Sequence, residues 1–82
     1  MNQKYEFDYS DLSKKIKNSY GSIAKFAKAM GYSKSSICQK LNNKIDWSQK
    51  DMVNAAYLLG ISESEIGHFF MQVKFRNLNH EC

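Results

Sequence analysis

The sequence predicts an all-α fold, and three observations support this prediction. The 82 residues contain no proline, only four glycines, and no Asn-Gly or Asp-Gly pair that would mark a tight hairpin turn. Apolar residues recur three and four positions apart, as on one face of an α-helix. Serines stand just before several of these runs, where a hydroxyl can accept from a free backbone N–H and start a helix. We therefore predict a compact arrangement of five short helices, followed by a short extended C-terminal segment.

The first two helices follow from apolar spacing and from the glycines that end them. Leu12 and Ile16 lie four apart and predict a first helix over about residues 11–19. A second helix begins after Ser22 and ends at Gly31. Its apolar residues follow the i, i+3, i+4, i+7 spacing: Ile23, Phe26, Ala27 and Met30.

The remaining helices are predicted from their caps. Ser33 precedes a third helix over about residues 34–42, in which Ile37 and Leu41 face inward. The segments 48–51 and 62–65 carry a loose and a full capping box, and they begin a fourth and a short fifth helix. The tail, about residues 72–82, allows two interpretations. Alternating apolar residues near Val73 favour an extended chain, although the same residues could continue the fifth helix.

Length and composition exclude several classes of protein. A chain of 82 residues is too short for two hydrophobic cores, so we expect residues 1–82 to form one domain. No apolar run approaches the roughly 18–20 residues of a membrane span, and the N-terminus lacks the pattern of a signal peptide, so we expect a cytoplasmic protein. Cys38 and Cys82 are expected as free thiols.

Chemistry-bearing residues are sparse. The two histidines, His68 and His80, have no metal-ligand spacing to a cysteine, and no glycine-rich phosphate loop is present. We find no acid–base pair at useful spacing either. The sequence therefore predicts no enzyme, no cofactor, no metal and no small-molecule substrate.

The positive charge is concentrated in the first half of the chain. Residues 1–45 carry nine lysines and three acidic residues, a balance of +6, whereas residues 46–82 have a balance of −2. A positive half of this kind favours binding to a polyanion such as nucleic acid. An ordinary lysine-rich surface would give the same balance.

The second and third helices are separated only by Gly31-Tyr32-Ser33. Two helices joined this tightly cross steeply, as in a helix-turn-helix, here over about residues 22–42. Such a crossing needs a small residue at Ala27, a positive φ at Gly31 and an apolar residue between the helices at Ile37. All of these requirements are met at the right spacing.

The stretch SIAKFAKAMGYSKSSICQKLNNK, residues 22–44, resembles the helix-turn-helix of lambda-repressor and Cro-type phage regulators. Through the FDYSDL opening and the LNNKIDW loop, almost the whole chain is similar to the small Cro-like regulators of Gram-positive phages. That group also includes modulators of repression. The resemblance implies a Cro-like repressor that reads operator half-sites of double-stranded DNA in the major groove with its third helix, in the bacterial cytoplasm. The alternative is a modulator or antirepressor that binds a partner phage repressor through the same fold.

Candidate DNA contacts lie on and around the third helix. By resemblance, Lys34, Ser35 and Gln39 occupy the base-reading positions, and we expect Cys38 on the same exposed side. Donors placed for phosphate contacts are Ser22, Lys25, Lys40, Asn43 and Lys44. Many relatives begin the second helix with a glutamine where this chain has Ile23, and the one arginine, Arg76, lies far from the motif. We therefore expect modest specificity from a single domain.

A homodimer on DNA would supply further affinity, since one module of this size buries only about 600–1,000 Å² on DNA. The C-terminal apolar residues are the candidate interface: Phe69, Phe70, Met71, Val73 and Phe75. Closure of the protein's own core is the competing interpretation for Phe69 and Phe70. Trp47 is expected in that core.

Overall fold

All five predicted helices are present, and the predicted all-α fold class is confirmed. The computed structural model describes residues 6–74. The elements follow in this order: β1 (Glu6–Phe7), α1 (Ser10–Tyr20), α2 (Ile23–Met30), α3 (Lys34–Leu41), α4 (Gln49–Leu59), a 3₁₀ turn (Glu63–Glu65), α5 (Ile66–Phe70) and β2 (Val73–Lys74). None of the helices within this part of the chain is long and apolar enough to cross a membrane.

Serine side chains begin the helices as the sequence predicts. The hydroxyls of Ser22, Ser33 and Ser48 accept from the backbone N–H groups three residues further on, and so open α2, α3 and α4. Ser62 forms a reciprocal capping box with Glu65. These bonds satisfy backbone donors that have no partner within the helix, which explains why the helix starts could be predicted from local sequence.

The predicted extended segment after α5 is β2, which pairs antiparallel with β1. Asn43, which follows α3, adds a side-chain link to the same pair. Its amide oxygen accepts from the Phe7 backbone N–H, and its amide nitrogen donates to the Phe7 carbonyl, both at 2.9 Å. Asn43 has a φ of 65°, a left-handed conformation that asparagine tolerates better than most residues. The Asn43 side chain therefore bonds the backbone of β1 as a third strand would.

The core is built from one face of each helix. The largest fully buried side chains come from α1, α2, α3 and α5: Leu12, Ile16, Phe26, Ile37, Leu41 and Phe70. Trp47, in the loop after α3, is also buried and meets Phe70 edge-on, with ring centroids 5.1 Å apart. The inward face of α3 is therefore fixed by packing, and its outer face is left to solvent.

Candidate nucleic-acid interface

Helices α2 and α3 meet through the tight turn that the sequence indicates. Gly31 has a φ of 83° and ends α2, and the backbone N–H of Tyr32 donates to the Ala27 carbonyl at 2.8 Å. Ala27 and Ile37 are both fully buried at the crossing of the two helices. A larger residue at Ala27 would separate the helices, so the crossing depends on this alanine.

Three of the four predicted base-reading residues share an exposed face of α3. Lys34, Ser35 and Gln39 are exposed, and Gln39 Nε2 donates to the Ser35 hydroxyl at 3.3 Å. The prediction that Cys38 lies on the exposed side of α3 is corrected, because Cys38 is half-buried and packs against the core. The exposed face of α3 thus offers one ammonium, one amide and one hydroxyl.

A positive groove lies beside this face and was not predicted. It has a volume of about 260 Å³ and is lined by the end of α1, the start of α2 and the start of α3: Lys17, Gly21, Ser22, Ile23, Ala24 and Lys34. Neither α2 nor α3 has an acidic residue in its first turn, so the positive ends of both helix dipoles are uncompensated there. Two lysines and two helix N-termini favour an anion at this position.

Two residues near the end of α1 indicate this groove in the sequence. Lys17 lies in the last turn of α1, and Gly21 reverses the chain with a φ of 87° directly before the cap of α2. A lysine one turn before such a reversal lies near the N-terminus of the next helix. Lys17 therefore joins the candidate anion contacts.

The predicted phosphate contacts divide into two groups. Lys25 and Lys44 are exposed, and Ser22 caps α2 by accepting from the Lys25 backbone N–H at 3.2 Å. The predicted phosphate contact of Asn43 is corrected, because the oxygen and the nitrogen of its side-chain amide are both bonded to the Phe7 backbone. The predicted phosphate contact of Lys40 is corrected as well, because only 6% of the surface of Lys40 is exposed.

The Lys40 ammonium is held in a polar cluster between α3 and α4. Its Nζ lies 3.0 Å from Asp51 Oδ2 and donates to the Asp46 carbonyl at 3.1 Å. It also lies 5.3 Å from the ring centroid of Tyr32 and 5.7 Å from that of Trp47. The Tyr32 hydroxyl donates to the other carboxylate oxygen of Asp51 at 2.7 Å. We call Tyr32, Lys40 and Asp51 the α3–α4 clamp.

The protonation behaviour of the clamp agrees with its geometry. Burial alone would raise the pKa of Asp51, but the hydrogen bonds from Tyr32 and Lys40 and the charge of Lys40 outweigh it, so this pKa is lowered. The pKa of Tyr32 is raised, first by its hydrogen bond to Asp51. The clamp therefore stays an ion pair at neutral pH and fixes α3 against α4.

The predicted dimer surface is only partly exposed within the described residues. Phe70 is 1% exposed and Phe69 is half-buried against the core, so the competing interpretation applies to Phe70 and corrects its placement at an interface. Met71 and Val73 are exposed. Phe75 lies outside the described residues. In residues 6–74 no group of His, Cys, Asp or Glu side chains is arranged to hold a metal ion.

Comparison with known proteins adds a family and a related structure. The pattern of the family described as "Protein of unknown function (DUF739)" matches residues 5–73. The chain is also similar to the solution structure of the modulator of repression (MOR) of the temperate bacteriophage TP901-1 from Lactococcus lactis. The two share 34% sequence identity with a TM-score of 0.70, over 78% of this chain and 86% of MOR. No curated protein matches the chain.

Proposed function

Because this chain belongs to the DUF739 family and is related to a phage regulatory protein, we propose that it is a phage-type transcriptional regulator that binds operator DNA. In this proposal α2 and α3 act as a helix-turn-helix, and the exposed face of α3 reads base edges in the major groove. Residues 1–82 would act as a single cytoplasmic DNA-binding domain without a cofactor or a catalytic activity.

The observation that carries the proposal is the joint exposure of Lys34, Ser35 and Gln39 beside the positive groove. An α-helix fits the major groove, where a lysine can donate to guanine O6 and N7, and a glutamine can pair with adenine. A phosphate in the groove would meet Lys17, the N-terminus of α2 and the cap residue Ser22. Lys25 and Lys44 would add phosphate contacts on either side.

The clamp changes which lysines are placed for phosphate contacts. Lys40 is held inside the protein by Asp51, and Lys17 takes its place beside Lys25 and Lys44. Each phosphate contact contributes to the salt dependence of affinity, so a single domain should bind with a shallow salt slope. A homodimer on two half-sites, about 34 Å apart, would supply the remaining affinity.

Alanine variants test the assignment of the reading face. Lys34→Ala and Gln39→Ala should each weaken binding to the operator by about 1–3 kcal/mol and relax base preference. Lys25→Ala and Lys44→Ala should weaken binding to all sequences and reduce the salt slope by about one. Lys14→Ala, an exposed lysine on α1 that is neither on α3 nor in the lining of the groove, is the control and should bind as the parent protein does. Unchanged operator affinity in both the Lys34 and Gln39 variants would overturn the assignment.

A second function is favoured by the relationship to MOR. MOR is a modulator of repression, and the similarity covers most of both chains. The alternative to operator binding is therefore that this chain has a similar role. In that case the exposed face of α3 would contact a phage repressor protein instead of bases. Co-purification with the repressor of the same phage, after nuclease treatment, would support this function. Operator binding by the isolated protein, with no repressor complex, would exclude it.

A further inference from the structure

The outer face of α4 carries apolar side chains that no residue within 6–74 covers. Val53 is 59% exposed and Tyr57 is 84% exposed, and they lie four residues apart on one side of the helix. Lys50 and Asn54 complete the same row, which we call the α4 ridge. A shallow hollow of about 300 Å³ lies along its first half, lined by Gln49, Lys50, Val53 and Asn54.

The charges of α4 are arranged against its own dipole. Lys50 lies in the first turn, at the positive end of the helix, where a cation is unfavourable. The last turn, at the negative end, contains no basic residue. The one acidic residue of the helix, Asp51, is buried in the clamp, so the ridge itself carries no carboxylate. Lys50 therefore lies at the end of the helix that disfavours a cation, whereas the opposite end has no cation.

We propose that the α4 ridge binds a second copy of this chain, with the two α4 helices antiparallel about a two-fold axis near Val53 and Asn54. In this register position 50 of each helix faces position 57 of the other. Lys50 then meets the ring of Tyr57 and the negative end of the second helix, which the first helix cannot offer it. Tyr57 of the second copy lies over the hollow beside Lys50. The ridge is thus complementary to itself in shape and in charge.

This contact is small, and the expected association is weak. A helix of 11 residues is about 16 Å long, so a contact confined to it falls well below the roughly 800 Å² per partner of a standard interface. Self-association should appear only at high protein concentration in the free protein. The surface differs from the C-terminal residues Met71 and Val73, and the inference does not depend on whether the protein binds DNA or a repressor.

A charge exchange tests the antiparallel register. Sedimentation equilibrium from micromolar to millimolar protein should show concentration-dependent dimerisation of the parent protein. Tyr57→Lys should abolish dimerisation, because each new lysine faces Lys50 of the other copy. It should leave the fold intact, because a cation is favourable in the last helical turn. The double variant Lys50→Glu with Tyr57→Lys should dimerise again, through two Glu–Lys pairs between the copies.

The controls separate this contact from general charge effects. Asn18→Lys adds the same charge to an exposed position of α1 and should dimerise as the parent protein does. Positions 50 and 57 are two turns apart within one helix, so a pair inside a single copy cannot explain recovery in the double variant. A parent protein that stays monomeric at millimolar concentration would overturn the proposal. So would a Tyr57→Lys variant that dimerises normally, or a double variant that remains monomeric. Because no DNA or repressor is present, the result is independent of the proposed function.

Discussion

Removal of Lys40 should destabilise the protein far more than removal of an exposed lysine. In the Lys40→Met variant the alkyl part of the side chain is largely kept, and the ammonium that contacts Asp51 and the Asp46 carbonyl is lost. Asp51, itself buried, then retains the Tyr32 hydroxyl as a donor but has no counter-ion. The α3–α4 clamp would be left with an uncompensated carboxylate.

The expected cost follows from what remains around Asp51. Breaking a buried ion pair by removing one partner costs about 3–5 kcal/mol. The hydrogen bond from Tyr32 and the N-terminal position of Asp51 in α4 place this case at the lower end, about 3 kcal/mol. A chain of this length has a total stability of roughly 4–12 kcal/mol, so the variant should fold but with little reserve. The expected fall in melting temperature is roughly 12–24 °C.

A double-mutant cycle isolates the pair. Unfolding in urea should be followed by circular dichroism and not by tryptophan fluorescence, because the Trp47 ring lies near the Lys40 ammonium that the variant removes. The double variant Lys40→Met with Asp51→Leu should recover most of the loss, since an apolar pair avoids the buried charges, and a coupling energy of about 2 kcal/mol is expected. Lys44→Met is the matched control and should change stability by less than about 0.5 kcal/mol. A Lys40→Met variant as stable as this control would refute the burial of Lys40.

Three further predictions concern acid stability, the core and the link to β1. Burial would raise the pKa of Asp51, but hydrogen bonds from Tyr32 and Lys40 lower it. The stability that ionised Asp51 contributes to the folded protein is therefore fully present above about pH 3.8 and is lost as the pH falls below that value. Acid titration of the free energy of unfolding should therefore show a smaller loss for Asp51→Asn than for the parent protein, and equal slopes would contradict it. Phe70→Ala should cost about 3–5 kcal/mol in urea unfolding, whereas Met71→Ala should cost less than about 1 kcal/mol, and similar costs would contradict the inward placement of Phe70. Asn43→Gly keeps the left-handed conformation but removes both hydrogen bonds to Phe7. Amide hydrogen exchange at β1 should therefore become faster, and the free energy of unfolding should fall by about 1–2 kcal/mol. Unchanged exchange at β1 would show that the amide does not hold it.

The helices could be predicted because the information that defines them is local. Each serine cap forms a bond to a backbone N–H three residues away, and each apolar row lies within one helix. The turn at Gly31 was predictable for the same reason, since a positive φ favours glycine whatever surrounds it. The extended segment at β2 was indicated by alternation. Its partner β1 was not, because two residues carry no period.

The errors at the candidate site come from contacts between distant residues. The sequence analysis predicts a phosphate contact at Lys40, although this residue lies three positions after buried Ile37 and next to buried Leu41, on the inward side of α3. That spacing was a usable signal, but the partner that makes burial tolerable, Asp51, is on another helix. Asn43 likewise bonds a residue 36 positions away. Lysine and asparagine side chains usually face solvent, so the local sequence does not indicate these buried contacts.

The most direct test of the central proposal is a footprint of the purified protein on the promoter region of its own phage, with competitor DNA and over a series of salt concentrations. A regulator that reads bases through Lys34 and Gln39 should protect a discrete site that survives competitor, with two-fold symmetry. Weak and uniform protection that disappears steeply with salt would mean that only phosphates are contacted. That result would contradict operator recognition by α3 and make the repressor protein the partner to test.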